Sequence, residues 1–421
     1  MEKEAKKNEI VRWQVESVRN ALKKRRVVVI TGGRQTGKTT LLSQLQDKDS
    51  TFLTLDDDTT LTFAKEDPKE FVKHSTGTMF IDEIQKAPNL IPEIKLAVDK
   101  NDRPGQYCLT GSANIQTLPI ITDSMAGRNK RIRLRPLVMG EILERKPNFL
   151  ERAFSMDFPR KIPGYNKEEI FELAFRGGYP EAVKLKNQKD RKEWHMDYID
   201  DLVNRDLKDI LNIRRQNELK ELVLILAGWS GKFMDAAKIG AGMSLSKQTL
   251  ETYINALESL YLFDRVNPWV RTDYERVGKS AKFYVNDTGF MTSILGWKKE
   301  EIIRDSDRGG KLIETFIFQE LSAQVDLNRE YNLYQYRDYK QHEVDFLIER
   351  DDGVMVGIEV KSSHSISKED FKPQIWFKEN IYKGKAPKDC KSYIAIVLYS
   401  GDETLSLGEG LLAVPTAALW M

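Results

Sequence analysis

At 421 residues the chain is long enough for about two to four domains. Its 66 Lys and Arg against 64 Asp and Glu leave a formal charge of +2, so no global field points to nucleic acid and any such binding must come from local patches. Cys108 and Cys390 lie far apart in sequence, so no disulfide framework or cysteine-rich zinc site is indicated, which suits a reducing cytosol. The charged start MEKEAKKNEI lacks the apolar core of a signal peptide, and the longest apolar stretch, around Leu222 to Trp229, is too short to cross a bilayer. A soluble, globular, cytoplasmic protein with no membrane partner is expected.

Residues 9–24 read as an amphipathic helix, with Val11, Val15, Val18 and Leu22 on one stripe. The β-branched run Val27 to Ile30 then reads as a buried strand. It empties into Gly32, Gly33, Arg34, Gln35, Thr36, Gly37, Lys38, Thr39 and Thr40, which contain G-x-x-x-x-G-K-[ST] in full. Leu41 and Leu42 open the helix that follows. Glycines in such a loop turn backbone N–H groups inward around phosphate oxygens, and the helix N-terminus adds partial positive charge. Lys38 then reaches the outer phosphates of ATP, and the Thr39 hydroxyl binds Mg²⁺.

TFLTLD is the second strand, and Met79 to Ile81 the third, ending in Asp82 and Glu83. At the C-terminal end of a parallel strand, Asp82 holds the Mg²⁺ shell and Glu83 orients the attacking water. QYCLTGS, the fourth strand, ends in Ser112, placed to contact the terminal phosphate or the water. Arg128 precedes a fifth strand, Arg131 to Arg135, and is a candidate for the transferring phosphoryl group, in its own subunit or in that of a neighbour.

This order of elements fits a parallel three-layer α/β sheet. The runs GGRQTGKTTLL, FIDEIQKAP, LTGSAN, AGR, RPLVMGE, RGGYPEAV and YIDDLVNRDL resemble a bacterial and archaeal group of ATPases in the AAA+ superfamily. The resemblance covers nearly the whole chain and implies an AAA-type core joined to a C-terminal domain of unknown task. It implies nucleotide roles for Lys38, Thr39, Asp82 and Glu83, and a sensor role for Ser112.

Three prolines between Lys146 and Asn166 mark a connector, followed by helices expected to form a lid, in which Arg176 or Arg205 is placed to sense nucleotide. Residues 217–270 read as three helices and a β-wing, a winged-helix module. Its third helix, N-capped by Ser246, exposes Lys247 and Gln248 but also Glu251 and Glu258, so protein contact suits it at least as well as DNA. In the last third, Val344, Phe346 and Ile348 are expected on one strand face and Asp345 on the other. Val356, Ile358 and Val360 similarly oppose Glu359 and Lys361. If those strands pair, Asp345 and Glu359 can hold Mg²⁺ or Mn²⁺ while Lys361 positions a water, with Glu314 on the preceding helix. The pattern resembles the PD-(D/E)XK nuclease fold, although Val344 stands where that motif has proline.

The expected domains are therefore an ATP-binding domain at 1–145, connector and lid at 146–212, winged-helix module at 213–275 and nuclease-like domain at 276–421. Two functions follow: an ATPase switch coupled to cleavage of DNA or RNA by Asp345, Glu359 and Lys361, or an ATP-dependent regulator whose inactive C-terminal half contacts a protein partner. Assembly into an oligomer is compatible with both.

Overall fold

The computed structural model describes residues 10–73, 76–112, 125, 127–207, 216–243, 245–270, 280–382 and 393–421. Cys390, Ala126 of the AGR run, the residues following Ser112 and the side chain of Arg205 lie outside that description.

The first sheet follows from its β-branched strands. β1 (Val27–Thr31), β2 (Thr51–Thr54), β3 (Met79–Asp82), β4 (Tyr107–Gly111) and β5 (Asn129–Arg133) stand in the order β2-β3-β4-β1-β5. Every pairing in it is parallel. Both faces of β1 are covered, which is why its five residues are all buried. Val28 and Ile30 pack with Val15 and Val18 of α1 (Gln14–Leu22) and with Leu41 and Leu42 of α2 (Lys38–Leu45). Val27 and Val29 pack the opposite way, against Leu90, Ile91, Ile94 and Val98 of α3 (Leu90–Lys100). Each such side chain contributes about 1.5–3 kcal/mol on burial. Val11, expected on the apolar stripe of the first helix, precedes α1 and is 65% exposed. The helix starts later because Arg12 is drawn into the interior by polar partners described below.

α4 (Lys167–Arg176) begins at Asn166, whose side chain accepts from the Glu169 N–H. α5 (Gln188–Asp201) follows. Next come α6 (Gln216–Gly228), β6 (Lys232–Phe233), α7 (Ala236–Met243) and α8 (Lys247–Ser259), the last capped by the Ser246 hydroxyl on Thr249 N–H at 3.1 Å. β7 (Phe263–Val266) and β8 (Lys282–Val285) complete an antiparallel sheet, β6-β8-β7. That sheet runs past residue 275, so the expected module boundary cuts through it. α9 (Thr288–Ile294), buried throughout, is capped by Asp287.

α10 (Ser306–Leu327) leads into a mixed six-stranded sheet: β9 (Tyr331–Arg337), β10 (Glu343–Arg350), β11 (Met355–Val360), β12 (Tyr393–Tyr399), β13 (Leu405–Gly408) and β14 (Leu411–Pro415). Its order is β13-β14-β12-β11-β10-β9, and α11 (Lys372–Asn380) packs on β10 and β12. A bulge interrupts β10 between Val344 and Leu347. Strict alternation therefore fails there: Val344 packs with Leu347 and Phe377, while Phe346 and Ile348 join the opposite core with Phe318 and Leu321.

That opposite core is continuous from Met139 to Trp420 and takes in residues of α4, α5, α6, α8, α9 and α10. The helices between the two large sheets and the C-terminal sheet thus share one interior. Glu320 on α10 is sealed in it at 1% exposure and accepts the Met139 N–H at 2.7 Å. Burial, with Glu141 nearby, pushes its carboxyl up to about 8 from an ordinary 4.5. A carboxyl whose pKa is raised on folding favours the folded state most below the unfolded pKa and loses that contribution as pH climbs through the folded one. Stability is therefore expected to fall between about pH 5 and pH 8, at no more than about 1.4 kcal/mol per pH unit from this group. Glu320→Gln should flatten part of that fall. Urea unfolding at a series of pH values measures it, and an unchanged slope in the variant would count against the assignment.

Candidate active site

The loop between β1 and α2 is pressed against the sheet edge. A Cβ on Gly32 would stand 2.2 Å from the Leu134 carbonyl oxygen, so only glycine fits. Gly37 has φ 91° and Gln35 φ 57°, and these left-handed residues curl the loop toward the α2 N-terminus. Lys38, 5% exposed, turns back over the loop. Its Nζ donates to the carbonyls of Gly32 at 3.1 Å and Gly33 at 2.8 Å. The Thr36 hydroxyl donates to the Gly33 carbonyl at 2.9 Å and ties the turn together.

The third strand delivers the carboxylates. The Thr39 hydroxyl donates to Asp82 Oδ2 at 2.7 Å, and the Thr110 hydroxyl at the end of β4 donates to the other oxygen. Thr110 also accepts the Glu83 N–H at 3.1 Å. Glu83 has φ 60°, a conformation that costs a non-glycine residue on the order of 1 kcal/mol. That turn directs its side chain to Gln85 and Ser112, with Ser112 Oγ donating to Glu83 Oε2 at 3.1 Å and Gln85 Nε2 donating to Ser112 Oγ at 2.7 Å. A hard hydroxyl oxygen and a carboxylate side by side are the donor chemistry that Mg²⁺ takes, with phosphate oxygens and water completing its shell. The residues present fit a Mg²⁺ nucleotide.

These groups line a cleft of about 750 Å³ whose floor includes Arg34, Gln35, Gly37, Lys38, Thr39 and Thr40. Pro180, Glu181, Val183 and Lys184 form part of its wall. The RGGYPEAV run reaches this position through two close approaches. A Cβ on Gly178 would meet the Leu137 carbonyl oxygen at 1.9 Å, and the Gly178 N–H donates to Asp287 Oδ2 at 2.6 Å. The Tyr198 hydroxyl donates to the Arg34 carbonyl at 3.2 Å from the other side. Among the described residues Lys184, paired with Glu181 at 2.8 Å, brings a cation to the cleft from the segment in which Arg176 and Arg205 were expected to sense nucleotide, the Arg205 side chain lying outside the description. Arg176 is half-buried and does not line it; burial and the nearby Arg191 lower its pKa.

Two further residues depart from expectation. Arg12 had no motif to announce it, yet it is 4% exposed and bonds the Thr36 carbonyl at 2.7 Å and Glu141 at 3.0 Å. Arg128 sits where β5 begins and pairs with Asp99 at the end of α3. Because β5 runs parallel to β1, that is the edge opposite the phosphate loop, and Arg128 does not line the cleft of its own chain.

The second constellation assembles on β10 and β11, which pair antiparallel. Asp345 Oδ2 accepts the Val360 N–H at 3.0 Å, and Lys361 Nζ donates to Glu359 Oε1 at 3.1 Å. Asp345, Glu359 and Lys361 are thus neighbours, with Glu314 of α10 close by. Sequence reading did not foresee Lys282 of β8 at their centre. It is 1% exposed, and its ammonium lies 2.9 Å from Glu314, 2.6 Å from Glu343 and 3.5 Å from Asp345. Burial alone would lower its pKa, but these carboxylates outweigh burial and hold it well above the ordinary value. Tyr284 completes the ring by donating to Glu314 Oε1 at 2.6 Å. Burial and the Asp345 charge push Glu359 up to about 8. Its Oε2 is buried without a hydrogen-bond partner. Among the described residues, no three His, Cys, Asp or Glu side chains are grouped to hold a metal ion. Lys282 reaches Asp345 Oδ1 and Lys361 holds Glu359 Oε1, which leaves Glu359 Oε2 as the unpartnered oxygen of the expected metal pair.

Residues 24–143 match the family described as AAA domain. Residues 167–301 and 309–419 match two domains of unknown function, DUF8612 and DUF4143. An uncharacterized protein of Mycobacterium tuberculosis is 25% identical over 401 residues, covering 94% of this chain and 82% of that protein. One from Methanocaldococcus jannaschii is 26% identical over 338 residues, covering 77% of this chain and 72% of its own length. Among solved structures, a RuvB variant of Thermotoga maritima overlaps 60% of this chain and 86% of its own at 18% identity, with a TM-score of 0.27, a likeness too distant to carry an argument. Residues 24–143 are thus similar to AAA domains, and the two regions that follow are similar to families whose descriptions name no function.

Proposed function

We propose that this protein is a Mg²⁺-dependent ATPase that works as a nucleotide switch. The observation that supports it most is the phosphate loop closed by its own lysine beside a Thr39–Asp82 pair at 2.7 Å. Arriving phosphates replace the Gly32 and Gly33 carbonyls as partners of Lys38. Backbone N–H groups from Gly33 to Thr40 are placed to surround them, and Thr39 and Asp82 would hold Mg²⁺, which would supply positive charge to the phosphates. Glu83, held by Gln85 and Ser112, orients the water, and Ser112 reports the terminal phosphate. Arg128 acts, in this reading, on the nucleotide of a neighbouring copy.

In the C-terminal half, the position of Lys282 supports the second of the two functions: a nuclease-like fold that does not cleave and serves as an interaction platform. A fixed ammonium offsets part of the negative charge that would otherwise collect a divalent ion. The helices α6 to α8 with their sheet are read as a winged-helix module used for contact. Lys247 on α8 lies 3.9 Å from Glu251, and Arg265 is held by Glu258 at 2.6 Å, which leaves that helix poorly charged for DNA.

Lys38→Ala removes the cation aimed at the outer phosphates, and charge-assisted bonds of this kind contribute about 1.5–3 kcal/mol. Affinity for a fluorescent ATP analogue should drop by roughly 10- to 100-fold; an unchanged Kd in a folded variant would remove the phosphate-loop assignment. Glu83→Gln should keep Mg·ATP bound while lowering kcat by roughly 10²- to 10⁴-fold, since an amide holds a water without taking its proton. Hydrolysis at the wild-type rate would show that Glu83 has another task.

Because the C-terminal sheet shares its core with the lid, its test uses the full chain. Titration of Mn²⁺ without nucleotide should show no tight site in the wild type and a new one in Lys282→Met, and plasmid DNA should stay intact with or without ATP. One Mn²⁺ bound by the wild type and lost in Glu359→Ala would restore the metal-dependent reading.

A further inference from the structure

A deep, open cleft of about 1,200 Å³ lies away from both sites, between the ATPase sheet and the C-terminal half. Three segments remote in sequence bring cations to it. Lys24 and Arg25 follow α1, Lys130 lies on β5, and Arg329 follows α10. No carboxylate pairs with any of these four among the described residues. The acids on the floor, Asp264 and Asp326, are already taken. Arg133 and Arg135 hold Asp264 at 2.8 and 2.6 Å, and Arg135 holds Asp326 at 2.6 Å.

Cations after helix C-termini have an ordinary explanation in the helix dipole, and that covers Lys24, Arg25 and Arg329. It does not cover Lys130, which is on a strand and half-buried. Burial, then the charges of Arg329, Arg25 and Lys24, lower its pKa, so the folded chain carries mutual repulsion that an anion would relieve. The cleft is larger than a small-molecule pocket needs, and its cations are spread across three walls. Among the described residues its two aromatic rings are each stacked on a neighbour inside the protein. Tyr331 is stacked on Phe154 with ring centres 5.2 Å apart, and Phe318 on Tyr284 at 4.4 Å.

We infer that this cleft binds the phosphodiester backbone of a nucleic acid, without regard to base sequence, through Lys24, Arg25, Lys130 and Arg329. The site is independent of the phosphate loop and of the Lys282 cluster. It supplies the local basic patch that the near-neutral total charge hides.

Fluorescence anisotropy on the full chain tests this with one labelled oligonucleotide as single-stranded DNA, as RNA and as a duplex, over a salt series. Four phosphate contacts give a slope of log affinity against log salt of about −3 to −4. Lys130→Ala with Arg329→Ala should weaken binding at low salt at least about tenfold and remove about half of that slope. Lys24→Ala with Arg25→Ala, both exposed positions, should do the same and guards against a folding defect at Lys130. Binding of the ATP analogue should be unchanged in both variants and reports that they are folded. Absence of binding to all three oligonucleotides at the lowest salt overturns the inference. So does undiminished affinity and slope in the variants, or capture of a poly-glutamate peptide where nucleic acid does not bind.

Discussion

The guanidinium of Arg12 is the constraint on which the rest of the nucleotide site depends. One buried side chain bonds the Thr36 carbonyl inside the phosphate loop, the Arg135 carbonyl just beyond β5, and the Glu141 carboxylate. Glu141 in turn accepts N–H groups of Trp13 at 2.8 Å and Val138 at 3.3 Å. Removing both charges from water is costly, and a buried ion pair commonly adds little net stability. What this one adds is geometry. It fixes the loop, the edge of the sheet and the chain that leaves the sheet in a single arrangement.

From that point a line of buried contacts runs into the C-terminal half. Met139, two residues before Glu141, gives its N–H to Glu320 of α10. Arg135, whose carbonyl serves Arg12, sends its own guanidinium to Asp264 of β7 and Asp326 of α10. Gly178, at 2.7 Å from the Leu137 N–H through its carbonyl, binds Asp287 ahead of α9. Each tie joins the ATPase sheet to an element of the shared core, so the phosphate loop and the C-terminal sheet rest on common supports. A nucleotide that releases Lys38 from its glycine carbonyls acts within a few residues of Arg12, where those supports converge.

What the sequence made legible depended on how local each feature is. The phosphate loop is one strand, one turn and one helix in unbroken succession, and Asp82 and Glu83 are consecutive at a strand end, so residue type and spacing sufficed. Arg12 and Lys184 come to that cleft, and Tyr198 to the Arg34 carbonyl of its loop, from both sides of that run, and each alone looks like an ordinary helix or loop residue. For Arg128 the motif gave residue order and not the edge of the sheet, so it could not separate a role in its own cleft from one in that of a neighbour. In β10 the alternation rule placed Val344 with Phe346, and a bulge reversed it. Bulges leave no mark in a hydrophobic pattern of that length.

The C-terminal cluster shows how far one unrecognised residue can change a site. Asp345, Glu359 and Glu314 on adjacent elements ask for a cation, and the choice lies between a divalent ion from solution and a tethered ammonium. Lys282 lies on a strand of the neighbouring sheet, so no spacing rule within β10 and β11 could reveal it. Its single charge does not satisfy the whole group. Glu359 keeps a pKa of about 8, with burial and Asp345 as the leading causes, and one of its oxygens has no hydrogen-bond partner. Lys361, 3.1 Å from the other Glu359 oxygen, brings a second ammonium to the group. Two tethered ammoniums, from β8 and from the residue after β11, thus share the task that the acids of β10 and β11 would otherwise assign to an ion from solution, and one Glu359 oxygen remains open.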